Sequence, residues 1–407
     1  MAKRRAKTST AHAWQFRARF RRHAFGWRSQ PAIRRIKEAV TEIKRVARKD
    51  PLLGAEGAVL LLERLSPAIE DVDSSSGSIG TAVNNAIVVL AGVIAAAPAG
   101  TGTREAWLER LWEAYEADCI PYLESLGHHW GELCVSPEIA SRWVDRLIDG
   151  CRHAFSPDPK LRAYFKGTTN CLSAMVVAGR HQELLDLLQH DRLRMWDDRQ
   201  YGVRALAALG RIDDALRYAA SGSPSESPWV GARLCQEILL AAGRTEEAYQ
   251  RYGVTGNAST TYLSTFRAIL KTYPHKTPAQ VLADLVQRSP GGSWFAAAKE
   301  AELFDEAIAL AWRTPTAHGT LTRAARDFVK TRPDFAMEAG LAAIHWIARG
   351  HGYEVTGGDV LAAYTATVEA AENAGRVDDA NRRMREIVAG EGDPSRFVRL
   401  VLASKLD

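Results

Sequence analysis

The chain has 407 residues, enough for two or three compact domains or for one extended array. Hydrophobic residues at 46% and charged residues at 25% are ordinary for soluble globular protein, and Ala, Leu, Glu and Arg outweigh strand formers, which favours an all-α fold. The net charge of +5 conceals an asymmetry: residues 1–50 hold 16 Lys/Arg against Glu38, Glu42 and Asp50, a net of +13, and the other 357 residues carry −8.

Five cysteines, none in Cys-x-x-Cys spacing, fit a reducing compartment rather than a disulfide framework. The longest apolar run, Ala86 to Ala97, falls short of the ~20 residues that span a bilayer, and no apolar leader segment opens the chain. The expected setting is cytoplasmic, without a membrane.

In chain order, Met1 to Arg28 is an acid-free arm with interleaved aromatics, of which Trp14 to Arg22 could form a helix. Ser29 as cap and Pro31 in a first turn then predict a helix whose Ile33, Ile36, Val40, Ile43 and Ala47 make one apolar stripe, ending near Asp50-Pro51. Arg34, Arg35, Lys37, Lys44, Arg45 and Arg48 lie mostly on its other faces. Pro51–Glu70 reads as a buried helix, residues 71–78 as a loop, and Ile79–Ala97 as a central apolar helix. Thr103 is expected to cap a helix through Trp107, Leu111 and Trp112. Further helices are expected at 122–126 and 137–155. These elements form an N-terminal helical domain over 51–157, behind the basic arm and helix of residues 1–50.

Beyond Ser156-Pro-Asp-Pro159 a phrase recurs. Ala207-Ala-Leu-Gly-Arg-Ile-Asp-Asp-Ala-Leu-Arg-Tyr218 has relatives at Ala242–Tyr249 and Ala374–Asn381, a variant at Ala178–Leu185, and a copy without glycine at Ala301–Ile308. Gly179, Gly210 and Gly243 are 31 and 33 residues apart, a helix-hairpin period. Gly210 ends one helix in the left-handed cap conformation; Arg211 can sit near the free carbonyls; Asp213 and Asp214 favour the start of the next. Ala215, Ala248, Ala307 and Ala380 each fall five residues after the glycine position, where a small side chain allows close packing. The glycine of the last copy is Gly375. A final pair over 358–389 and a closing helix over 394–405 complete the chain.

The Gly-x-x-x-[Asp/Glu]-Ala phrase resembles the turn and second helix of tetratricopeptide repeats, over roughly Thr168 to Ala389. The first-helix Trp-Leu-Gly-Tyr pattern and the closing proline are absent. The resemblance implies a right-handed α-solenoid over 158–407 with a concave surface for a protein partner, and no catalysis.

No phosphate loop, nucleophile elbow or His-Glu-x-x-His occurs. Asp71-x-Asp73-x-Ser75 opens like a calcium loop but lacks the glycine and the closing glutamate. His128, His129, Cys134, Cys151 and His153 are metal-ligand types without knuckle spacing, so packing is the expected role and no metal or cofactor is expected. The first functional expectation is a non-enzymatic scaffold. The alternative is nucleic-acid contact, with Arg17, Arg19, Arg21, Arg22 and Arg28, and the helix cations Arg34, Arg35, Lys44, Arg45 and Arg48, on phosphates and Trp14, Phe16, Phe20 or Trp27 on bases. Two other readings of the arm stay open: aromatics anchoring it on the acidic body, or an organellar targeting segment. An enzyme whose site is built from distant residues is the third functional class. The oligomeric state is left open.

Overall fold

The computed structural model describes residues 12–192, 195–222, 226–227, 229–390 and 392–406. Residues 1–11 of the expected arm and part of the Ser221–Pro228 loop lie outside the described residues. The described chain is all-helical, with 21 α-helices, 71% helix and no strands. It divides into two compact units, Met1–Ile238 and Leu239–Asp407.

The first unit opens with a short 3-10 turn, Gln15–Ala18, in place of the helix expected over Trp14–Arg22. Then come α1 (Ser29–Ala47), α2 (Pro51–Ile69), α3 (Ser78–Ala96) and α4 (Thr101–Glu116). Ile33, Ile36, Ala39 and Ile43 bury one face of α1, which packs on α2 and α3. Ser29 is not the cap, because the helix already includes it and Arg28 holds the N-cap without a side-chain bond. Asp50 instead caps α2, accepting the Leu53 amide at 3.0 Å, while Pro51 has no amide to satisfy. Thr103 also proves interior, since α4 begins at Thr101 behind Gly100.

Among the described residues α3 is the one helix long and apolar enough to cross a membrane by length and composition. The apolar run extends N-terminally through Gly80, Thr81, Asn84 and Asn85, which a helix tolerates. Its Ile79, Val83, Ile87, Leu90 and Ile94 are buried, and it packs on α1 and α2.

The unit continues with a 3-10 turn at Glu124–His129, α5 (Trp130–Cys134), α6 (Pro137–Ala154), α7 (Thr168–Val177), α8 (His181–Leu188), α9 (Trp196–Ala208) and α10 (Ile212–Ala220). Trp107, Trp112 and Trp143 are buried, and Trp112, Trp130 and Trp143 contact one another at centroid separations of 5.0–5.9 Å. Buried Arg104 donates to the carbonyls of Ile94 (3.2 Å), Ala97 (2.6 Å) and Leu133 (3.2 Å), joining the C-terminal ends of α3 and α5. A guanidinium suits that place, because both helix ends turn carbonyl oxygens and the negative end of a dipole toward it, and an oxygen that already accepts an amide, as at Ile94 and Ala97, can accept a second bond. α11 (Ala232–Ala241) carries the chain across the division.

The second unit holds α12 (Thr245–Tyr252), α13 (Tyr262–Thr272), α14 (Pro278–Arg288), α15 (Phe295–Glu300), α16 (Phe304–Arg313), α17 (His318–Phe328), α18 (Pro333–Ala348), α19 (Gly357–Ala374), α20 (Val377–Val388) and α21 (Asp393–Leu406). Within each unit, helices contact mainly their next and next-but-one neighbours in the chain: α7 with α8 and α9, α13 with α14 and α15, α19 with α20 and α21.

The recurring phrase forms the same turn five times. Gly179, Gly210, Gly243 and Gly375 have φ of 73°, 74°, 73° and 65°. The residue after each donates its amide five positions back: Arg180 to Met175, Arg211 to Leu206, Arg244 to Leu239 and Arg376 to Ala371, at 2.8–3.0 Å. These are Schellman closures. The copy without glycine closes identically, Leu303 to Ala298 at 3.0 Å, with Glu302 itself at φ 58°. The arginines do not sit on the carbonyls as expected. Their side chains reach forward to the acid three residues on: Arg180 to Glu183, Arg211 to Asp214, Arg244 to Glu247 and Arg376 to Asp379, at 2.6–2.7 Å. Ala215, Ala248, Ala307 and Ala380 are buried at each second helix.

Candidate functional site

In the arm the structure follows one of the readings left open, aromatics that anchor it, rather than aromatics offered to bases. Trp14, Phe16 and Phe20 are 8%, 2% and 1% exposed and stack edgewise on one another and on Phe25. They belong to the core formed with α1 and α2, so in this conformation none presents a face to a base. Trp14 lies over Gly57 of α2, where a Cβ would meet its indole Cζ2 at 2.2 Å. Trp27 differs, being 72% exposed.

Backbone bonds complete the docking. The amides of His23 and Phe25 donate to the Pro67 and Ala68 carbonyls at 2.9 and 3.3 Å, and Arg64 donates to the Phe20 carbonyl at 3.1 Å. Glu42 accepts the Gln15 and Phe16 amides at 2.9 and 3.3 Å, placing a carboxylate at the start of the 3-10 turn. Glu38 accepts Arg35 at 2.6 Å and Arg19 at 2.9 Å. The Arg35 hydrogen bond, with the charges of Arg35, Arg19 and Arg34, holds the Glu38 carboxyl below the usual carboxylate range. Arg22 faces Glu70 at 4.0 Å, and His23 approaches Asp71 at 3.0 Å.

Both acids within α1 are therefore engaged by the arm and by Arg35. Arg34, Lys37, Lys44, Arg45 and Arg48 are exposed, and so are Arg17, Arg21 and Arg28. The positions 34, 37, 41, 44/45 and 48 repeat at three and four residues, so those five cations share one face of α1 on either side of Thr41. At 1.5 Å per residue that row is ~21 Å long. Beside it runs an open groove of about 550 Å³, bordered by Gln15, Gln30, Ile33, Arg34, Lys37, Thr41 and Arg45 and by both acids, Glu38 and Glu42. Lys37, Gln15, Gln30 and Thr41 were not among the sequence candidates. The three-and-four spacing could have found Lys37 and Thr41; Gln15 joins the groove only through the docked arm.

The remaining candidates are occupied. His128 is stacked on Tyr201 and meets its hydroxyl at 2.9 Å; His129 meets Glu132 at 2.9 Å; His153 meets the Asp149 carbonyl at 2.7 Å. Cys134 and Cys151 are buried, and burial pushes the Cys134 thiol up to about 12. No group of metal-ligating residues assembles among the described residues. In the former calcium-loop candidate Asp73 accepts the Ser75 amide at 3.0 Å. A second cavity, about 410 Å³, is bordered by Tyr115, Lys166, Asp191 and Asp198. Burial, with the charges of Asp191 and Asp197, raises the Asp198 carboxyl to about 6. Two of the other polar groups there are engaged: Tyr115 donates to the Lys166 carbonyl at 2.9 Å, and Lys166 to the Asp118 carbonyl at 2.6 Å.

Comparison with protein-family models, with curated proteins and with solved structures finds no match to this chain. The likeness to tetratricopeptide repeats thus rests on the recurring turn itself.

Proposed function

We propose that this protein is a non-enzymatic helical-repeat scaffold, cytoplasmic, whose hairpins stack into an α-solenoid and bind a protein partner within a larger assembly. The observation that carries the reading is the five-fold Schellman-closed hairpin, with helices contacting mainly their next and next-but-one neighbours. Chains built that way display surface in proportion to length, and their broad faces serve recognition. Small-angle scattering and native capture test the two halves of the reading. A compact body of 407 residues has a radius of gyration of about 22 Å; the solenoid reading expects a clearly larger value, and about 22 Å overturns it. Capture from native extract followed by mass spectrometry should recover one polypeptide in fixed ratio at physiological salt. A chain that always elutes alone counts against the scaffold.

A further inference from the structure

We infer that the exposed face of α1 is a docking surface for the sugar–phosphate backbone of a nucleic-acid duplex, gripped through Arg34, Lys37, Lys44, Arg45 and Arg48 without base contacts. The inference does not depend on the scaffold reading. It rests on how the acids of this segment are used. Seven cationic side chains lie on or beside α1, counting Arg19 and Arg35, against Glu38 and Glu42, a net of +5. Arm cations face carboxylates, Arg19 at Glu38 and Arg22 at Glu70, whereas the cations of the α1 row do not. The carboxylates of α1 are taken up by Arg19, Arg35 and two arm amides, Glu38 at the surface beside the groove, and the five-cation row is left facing solvent. Among the described residues no ion pair is made by these five.

Three features select the occupant. The apolar face of α1 is buried on α2 and α3, so α1 cannot lie in a bilayer surface as an amphipathic helix does. From Arg34 to Arg48 the fully exposed positions are Arg, Lys, Glu and Thr, with no apolar or aromatic anchor of the kind that dominates protein interfaces. Single strands are held by successive bases stacking on several aromatic faces, and here Trp14, Phe16 and Phe20 are closed in the core and Trp27 alone of the four is exposed. What remains is a straight row of point charges ~21 Å long, matched to a regular polyanion. A duplex carries one negative charge per ~1.7 Å of axis.

The test is fluorescence anisotropy of the full chain with labelled duplexes of two unrelated sequences, titrated against salt. Five phosphate contacts give a slope of log K on log salt near −4.5, a roughly 500-fold loss between 50 and 200 mM. Both sequences should bind alike. The combined variant Arg34→Gln, Lys37→Gln, Lys44→Gln, Arg45→Gln alters exposed side chains only, and its slope should fall to about −1. A matched variant removing four exposed cations of the second unit, at Arg323, Lys330, Arg396 and Arg399, should bind as the parent does. No binding at 50 mM salt overturns the inference, as does equal weakening by the matched variant, which would mean net charge alone. Tighter binding to a single strand, to phosphatidylserine vesicles or to polyglutamate also overturns it.

Discussion

Glu302 stands in the left-handed region, φ 58°, at the place where its four counterparts are glycine. A side chain there costs roughly 1–2 kcal/mol relative to the right-handed regions, and glycine removes that strain while also loosening the unfolded chain. Glu302→Gly should therefore raise stability by about 1 kcal/mol, seen as a higher urea midpoint with unchanged slope. Gly210→Ala should move the midpoint the other way by a similar amount. Its Cβ would meet nothing within 4 Å, so the change isolates backbone conformation from packing. A neutral Glu302→Gly would show that the turn at 302 is not strained in solution. These turns were the most legible part of the chain, because glycine at a cap is a local, backbone-level requirement. Even the copy without glycine keeps its register from the apolar and acidic residues around it. Anchoring of the arm by its aromatics was one reading the sequence left open, but the seat itself was illegible, for the opposite reason. Trp14 finds its seat on Gly57, 43 positions away, and only a fold places that missing Cβ under an indole.

Between helices, the decisive contacts are polar groups that close ends rather than apolar stripes. Arg104 is 2% exposed and its donors serve carbonyls at the ends of two helices and the bend after α3. Arg104→Ala takes the guanidinium donors away from the Ile94, Ala97 and Leu133 carbonyls, of which Ile94 and Ala97 keep the Ala97 and Ala99 amides, and opens a void where the guanidinium lay. About 3 kcal/mol of destabilisation is expected, from the charge-assisted bonds lost and the void left. Leu133 precedes Cys134, so loosening the end of α5 exposes that thiol first. In the parent, a thiol reagent should modify Cys119 fast and the four buried cysteines slowly. The Arg104→Ala variant should add Cys134 to the fast class under native conditions. Unchanged labelling would mean that α5 is held by its apolar contacts alone. No periodicity marks this residue: in the sequence Arg104 reads as a polar member of a helix start. Its role follows from three carbonyls brought in from elsewhere: the end of α3 was readable near Ala97, whereas α5 was not among the expected helices.

For the molecule as a whole, near-neighbour packing has an energetic consequence. When helices touch mainly those next to them in the chain, stability is close to a sum of local terms, and a local defect stays local. The candidate surface depends on this too, since the arm and α1 keep their shape through α2 and α3 without help from distant helices. Gly375→Ala tests the principle. It strains the left-handed cap between α19 and α20 by about 1 kcal/mol, again with no atom within 4 Å of the new Cβ. Amide hydrogen exchange followed by mass spectrometry should then show faster exchange over α17 to α21, that hairpin and the helices in contact with it. Peptides from α1 to α6 should keep the parent rates, because sub-global opening at one end leaves other cooperative units closed. Uniform acceleration along the chain would instead mean one cooperative body. Near-neighbour additivity would fail with it, and with that the physical basis for reading the five hairpins as a repeat array.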